Sequence, residues 1–340
     1  MSVLPDWPYA YSGPESTGNI RRYVEDFEVN EQLGFELSGK GEHVFLWIEK
    51  RGENTDYIAR QLARFAKVHC RDIGYAGLKD RHALTRQWFS VYLPGKEEPG
   101  WTAFSGDRVK VLRSTRHNRK LKRGVLQGNH FNLTIRDWDG SQAGTRQRLE
   151  IIKNKGIPNY FGPQRFGRSG QNLNKAVQMF RGQRVKRQQR SLYLSAARAF
   201  LFNQILAHRV QRGDWDKALS GDTFIFDKSH QYFKSTQADS TILQRLEHFV
   251  IHPSGCLYGL GETDNCDLAL SLETQIIERF PVLREGLEKS GVHRSRRALR
   301  VRAEDLRWHI NQSVLTVAFF LPAGSYATSL LREFIDFKEF

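Results

Sequence analysis

The segment VLTVAFFLP, residues 314–322, constrains the fold of this chain more than any other. It is a short run of apolar and β-branched residues, far below the 18 needed for a membrane helix, and reads as a buried strand. A buried strand needs partners, and the other clear strand segments lie far upstream. They are HVFLWIEK (43–50), WFSVYL (88–93), RVKVLRSTR (108–116) and NHFNLTIRDW (129–138), all rich in β-branched and aromatic residues. Between them and residue 314 the character changes. SAARAFLFNQILAHRV (195–210) places Ala197, Leu201, Ile205 and His208 on one helical face and stops at Gly213,. The economical architecture is a sheet domain that receives its last strand after a helical insertion.

Within the first part, NTDYIARQLARFAKVH (54–69) has Ile58, Leu62 and Phe65 at helical spacing, with Asn54 or Thr55 as N-cap,. Residues 1–19 are rich in Pro, Gly and Ser and read as an irregular arm. A helix is predicted over 142–154, an ordered loop over 156–172, and a short helix in YATSLLREFIDF after the last strand.

Charge narrows the partner. The 340 residues carry 52 Lys and Arg against 37 Asp and Glu, a net charge of +15. In a chain this aromatic (12%) and apolar (39%), which disorder does not explain, such a surplus favours a polyanion,. Nucleic acid fits best, an anionic membrane less well, and plain solubility charge is the alternative. Three basic runs, 108–123, 181–190 and 293–302, suit a surface that follows a phosphate backbone,. Arg116, Arg119, Lys120, Arg184, Arg187, Arg296 and Arg297 are its candidate contacts. Cys70, Cys256 and Cys266 form neither a disulfide framework nor a C-x-x-C site, which suits a reducing compartment without structural zinc,. The N-terminus lacks a secretory pattern. A cytoplasmic, soluble chain with no membrane span is expected, with a monomer as the default.

The chemistry-bearing segment is GYAGLKDRHALTRQW (74–88). Asp80 lies between Lys79 and Arg81, and neighbouring cations hold a carboxylate ionised, as a nucleophile or base requires. The same residues also read as a surface turn. Asn129 and Phe131 share a strand face with Leu133 and Ile135, which puts a polar group and an aromatic ring at the rim of the core. A sheet-edge Asn and an ordinary core Phe explain them as well. Residues 161–169 approach a phosphate loop, but Arg168 replaces its lysine and no buried strand feeds it,. No metal-site motif is present, so no metal is expected, and a single carboxylate is left to carry any chemistry.

Taken together, these segments resemble the tRNA pseudouridine synthase D family over residues 21–333. Asp26-Phe27-Glu28-Val29-Asn30-Glu31 is similar to its D-F-x-V-x-E motif. Ala76-Gly77-Leu78-Lys79-Asp80-Arg81-His82-Ala83 is similar to A-G-x-K-D-[KR]-x-A. Asn129-x-Phe131 with Arg136, the run Pro158–Gly167, and Leu321–Thr328 follow in the family's order. The resemblance implies an α+β fold, a pseudouridine synthase-like catalytic domain with a mixed or antiparallel sheet flanked by helices. The catalytic domain would be formed by 1–154 and 303–340, with an inserted α/β domain over 155–302. It implies isomerisation of uridine to pseudouridine in tRNA, at position 13 of the D arm, with the base flipped out of its stack. Asp80 becomes the catalytic carboxylate, and because the isomerisation involves no redox change and no net hydrolysis, the resemblance implies no cofactor. Phe131 is the stacking face, and Phe27 and Tyr326 are base or ribose contacts. Asn129 is a hydrogen-bond partner of Asp80 or of the sugar, and Arg21 is the ion-pair partner of Asp80. The alternative is a non-catalytic RNA-binding protein, which explains the charge but not the Lys-Asp-Arg turn beside a rim Asn and Phe.

Overall fold

Residues Val314–Pro322 form a strand, paired antiparallel with Leu126–Gly140 from Leu315 opposite Ile135 to Pro322 opposite Gly128. A Cβ on Gly128 would lie 2.3 Å from the Leu321 carbonyl oxygen, so this close approach requires glycine,. The structure is a computed structural model that describes residues 4–339. It divides into two compact units.

The sheet unit comprises residues 15–145, 303–324 and 336–339. Its strands are β1 (Ser16–Ile20), β2 (Phe27–Leu33), β3 (His43–Arg51), β4 (Ile73–Tyr75), β5 (Leu84–Tyr92), β6 (Val109–His117) and β7 (Leu126–Gly140). After the helical unit's strands β8 (Ile157–Pro158), β9 (Thr223–Phe226), β10 (Tyr232–Lys234), β11 (Ile251–Leu257), β12 (Ser295–Ala298) and β13 (Arg300–Val301) come β14 (Glu304–Asn311), β15 (Val314–Pro322) and β16 (Asp336–Glu339). One ten-stranded sheet runs β14-β15-β7-β2-β5-β3-β6, with β1 beside β7 and β16, and β4 beside β5. The β2–β5 and β1–β16 pairs are parallel and the rest antiparallel, so the sheet is mixed and the fold α+β. Helix α1 (Thr55–Phe65) buries Ile58, Ala59, Leu62 and Ala63 against Val44, Leu46 and Ile48 of β3 and Phe89 and Val91 of β5.

The helical unit comprises residues 4–14, 146–302 and 325–335. After α2 (Gln142–Lys155), α3 (Pro163–Phe166) and α4 (Gln171–Phe180), its axis is α5 (Arg187–Arg212), whose buried face carries Ala197, Leu201 and Ile205. The helix begins eight residues before the predicted start. The left-handed Gly213 ends it (φ +71°),. A four-stranded sheet, β10-β9-β11-β12, lies in the same unit.

Three expectations change. Residues 4–14 and 325–335 group with the helical unit, not with the sheet. Trp7 stacks on Tyr160, and the Ala10 N–H donates to buried Glu333 (2.9 Å). The N-terminal arm is not wholly irregular, because its end is β1. The C-terminal helix is only Ala327–Leu331, and residues 336–339 become a strand beside β1. No helix among the described residues is long and apolar enough to cross a membrane.

Candidate active site

Asp80 stands on the loop between β4 and β5, and buried polar side chains hold that loop from below. On β3, Val44, Leu46, Ile48 and Lys50 share one face, and Lys50 is fully buried,. Its Nζ donates to the carbonyls of Glu53 (2.7 Å) and Asp80 (3.3 Å). On β5, Gln87 Nε2 donates to the Gly77 carbonyl (3.1 Å). The Thr55 hydroxyl donates to Gln87 Oε1 (2.8 Å) and accepts from the Lys79 N–H (3.0 Å). Asn54, not Thr55, is the N-cap residue of α1, which leaves the threonine hydroxyl to fix the loop. Backbone groups at positions 77, 79 and 80 are thus each held by a different strand or helix. An unpaired buried polar group is costly, so these partners restrict where the loop can sit.

The carboxylate itself stays open. The Asp80 side chain is 31% exposed, and its Oδ2 lies 2.8 Å from Arg21 Nη2. Its Oδ1 accepts from the His82 N–H (3.1 Å). Arg21 is nearly covered, lies 4.1 Å above the Phe27 ring and also pairs with Glu339 (3.1 Å). Its backbone adopts φ +60°, a strained choice for a residue with a side chain, and the two ion pairs hold it there,.

Below this pair, β2 and β7 place Phe27 opposite Leu133, Val29 opposite Phe131, and Glu31 opposite Asn129. Lys79 Nζ lies 2.9 Å from Glu31 Oε2 and donates to Asn129 Oδ1 (2.7 Å). Burial pushes the Glu31 carboxyl above its ordinary range, and Lys79 offsets only part of that rise. Asn129 does not bond Asp80. Lys79 occupies its carbonyl oxygen, and its amide N–H groups have no partner among the described residues. Phe131 is also not the open plate expected. Its strand starts at Leu126, three residues early, so the ring sits inside the sheet at 7% exposure. It stacks on Phe319 (5.2 Å) and meets the edge of Phe27 (6.3 Å). Phe27 and Phe131 therefore form an apolar floor.

Tyr326 lies in the helical unit, where its hydroxyl accepts from Arg165 Nε (3.0 Å) and its ring packs beside Phe161. The candidate backbone contacts fall into two groups. Arg184 and Arg187 are exposed near the start of α5, and Arg119 is exposed on the loop after β6. Lys120 binds the Arg71 carbonyl. Arg116 is tied to Glu98 (2.9 Å) and to three backbone carbonyls. Arg296 is buried against Glu273 (3.0 Å), and Arg297 lies 4.0 Å over the Phe161 ring and donates to Asn159. Arg296 is an interior tie and not a surface contact, because β12 runs alongside β11 with Arg296 opposite buried Cys256, whereas Arg297 is half-buried.

Lys50, Thr55, Gln87 and Glu339 escaped the sequence reading. For Lys50 and Gln87 a signal exists: each lies on the same face of its strand as apolar core residues, where a polar side chain needs a fixed partner. Among the described residues no group of three or more His, Cys, Asp or Glu is placed to hold a metal ion.

The family model described as tRNA pseudouridine synthase D (TruD) matches residues 7–179 and 169–334. The chain is 48% identical over 335 residues to a tRNA pseudouridine synthase D of Methylococcus capsulatus, covering 98% of this chain and 95% of that one. It is also 48% identical over 337 residues to one of Nitrosococcus oceani, covering 97% and 94%. A solved structure from Methanosarcina mazei, described as a TruD protein, shares the fold with a TM-score of 0.74 at 21% identity, covering 96% of this chain and 95% of that one. With the family model covering nearly its whole length and relatives this close at both ends, the chain belongs to the tRNA pseudouridine synthase D family.

Proposed function

We propose that this enzyme isomerises uridine to pseudouridine in tRNA, at position 13 of the D arm, with Asp80 as the catalytic carboxylate of the sheet unit. The observation that carries the reading is a partly exposed carboxylate, paired with Arg21, on a loop whose backbone three buried side chains hold.

The target base is stacked inside RNA and is flipped out at a cost of a few kcal/mol. Phe27 and Phe131 give the flipped base an apolar floor, and the free amide of Asn129 donates to it or to its sugar. Asp80 then acts on the ribose by one of two routes. It attacks C1′, the C1′–N1 bond breaks, and the electron pair leaves on uracil N1. Alternatively it takes the C2′ proton as the same bond breaks, leaving a glycal. In both routes the uracil turns and C5 bonds to C1′. In the first the carboxylate leaves C1′, and in the second the proton returns to C2′. The C5 proton then departs and a proton arrives at N1, so the net change is an isomerisation. Arg21 orients the carboxylate throughout, and Lys79 fixes the Asn129 carbonyl so that its amide faces the substrate.

Arg184, Arg187, Arg119 and Lys120 are the proposed contacts to the RNA backbone. Arg187 opens α5, where cations oppose the helix dipole, and a bound phosphate relieves that opposition,. Substituting Asp80→Asn is expected to abolish tritium release from tRNA carrying C5-labelled uridine while tRNA binding stays near wild type. Full turnover by that variant would return the chain to the reading of an RNA-binding protein.

A further inference from the structure

Beside the Asp80 loop, within the sheet unit, lies a cavity of about 400 Å³ walled by Arg51, Arg81, His82, Arg108 and Glu25. None of these side chains belongs to the machinery described above. Arg81 and His82 directly follow Asp80, so the cavity wall and the carboxylate share one short stretch of backbone.

The charges in the wall are unevenly matched. Arg51 pairs with Glu25, and Arg108 with Glu53 (3.4 Å). Arg81 is anchored by its Nε, which donates to the Gly52 carbonyl (3.3 Å). Its two terminal nitrogens have no partner among the described residues. A guanidinium held at one nitrogen and open at the other two is preset for bidentate contact with a phosphate or carboxylate. The Arg51 N–H donates to the Arg108 carbonyl (2.9 Å), which fixes the opposite wall. A space of this size takes one nucleotide unit, not a duplex.

We infer that this cavity binds one phosphate of the RNA backbone next to the isomerised uridine, with Arg81 as its bidentate partner. The inference rests on the reading of Asp80 as the catalytic carboxylate. Holding the neighbouring phosphate would fix the sugar of the flipped nucleotide against Asp80, since a nucleotide pinned at its phosphate loses much of its freedom to swing.

The test crosses one protein change with one RNA change. Arg81→Gln removes the fork, and a single methylphosphonate on either side of the target uridine neutralises one phosphate. Arg81→Gln and the neutral linkage at the bound phosphate are each expected to lower kcat/KM by about 10- to 100-fold, the range for a charged hydrogen bond. The two together should cost no more than either alone for one of the two flanking phosphates, with Arg81→Lys intermediate. A purely structural role for Arg81 gives losses that multiply. Multiplied losses at both positions, or no loss from either neutral linkage on the wild-type enzyme, overturn the inference alone. Absence of pseudouridine from wild type on unmodified tRNA overturns the reading of the reaction, and this inference with it.

Discussion

Both units bury charged side chains, but they close them differently. In the helical unit, Arg209 is 2% exposed and bound by Asp214 (2.8 Å), Asp222 (3.1 Å) and backbone carbonyls, and Arg296 is bound by Glu273 and Ser254. Each guanidinium there is matched by buried acceptors. In the sheet unit, Lys50 and Lys79 serve a loop instead, and the carboxylate on that loop remains open to solvent. A basic chain thus uses some of its cations as interior struts and others to present one negative group. Net charge alone does not separate the two uses.

The largest effect that tests this comparison is on Arg209. Arg209→Met leaves Asp222, which is fully buried, without its cation, while Asp214 keeps its pair with Arg212 (2.8 Å). Breaking a buried pair from one side costs about 3–5 kcal/mol, so urea unfolding should show a loss of that order. A loss under about 1 kcal/mol would mean that the helical unit tolerates unmatched charge, and the contrast with the sheet unit would fail.

Legibility in the sequence follows the same division. Strands whose buried face is apolar, such as β3, β5 and β15, announced themselves. β2, FEVNEQL, did not, although it is central. Its second face holds Glu28 and Asn30, which bind Arg86 from β5, so polar pairing replaces the apolar signal. β14 was missed because its pattern is mostly solvent-facing. At the site, the Asp80–Arg21 pair was legible because both lie beside recognisable motifs. The supports from Thr55 and Lys50 were not, because the groups they bind on the loop are backbone atoms, which a sequence does not locate. The basic runs misled at 293–302, where strand alternation turns Arg296 inward. At 108–117 much of the charge lies on β6, the sheet's edge, where Lys and Arg also discourage strand addition,.

Two buried groups give the units opposite responses to pH. Burial lowers Lys50 to about 8 from its ordinary 10.5, against the pull of Asp80 and Glu53 and with a push from Lys79. Between those values the unfolded chain holds a proton that the folded chain has lost, so stability rises with pH. Burial raises Glu333 in the helical unit to about 7 from 4.5, against Arg332, Arg148 and the backbone N–H groups of Ala10 and Tyr11. There the folded chain holds the extra proton, so stability falls as pH climbs from 4.5 to 7. Each swing is about 3 kcal/mol at most. Lys50→Met should flatten the alkaline limb and Glu333→Gln the acid one, read as unfolding midpoints from pH 4 to 10.5. A Lys50→Met variant that keeps the wild-type alkaline slope would show that the lysine holds its proton in the fold.

The smallest expected effect is the sharpest test of which arginines face RNA. Arg184 is exposed, so Arg184→Gln should leave unfolding within about 0.5 kcal/mol of wild type. If it contacts a phosphate, tRNA affinity falls a few-fold at low salt, and the slope of log affinity against log salt becomes shallower by about 1. Arg296→Gln should do the reverse, because its loss strands Glu273, itself 4% exposed, while removing no surface cation. Stability then drops while the salt slope stays put. An Arg296→Gln variant that keeps its stability and loses salt dependence would restore that residue to the RNA surface and erase the distinction between strut and contact.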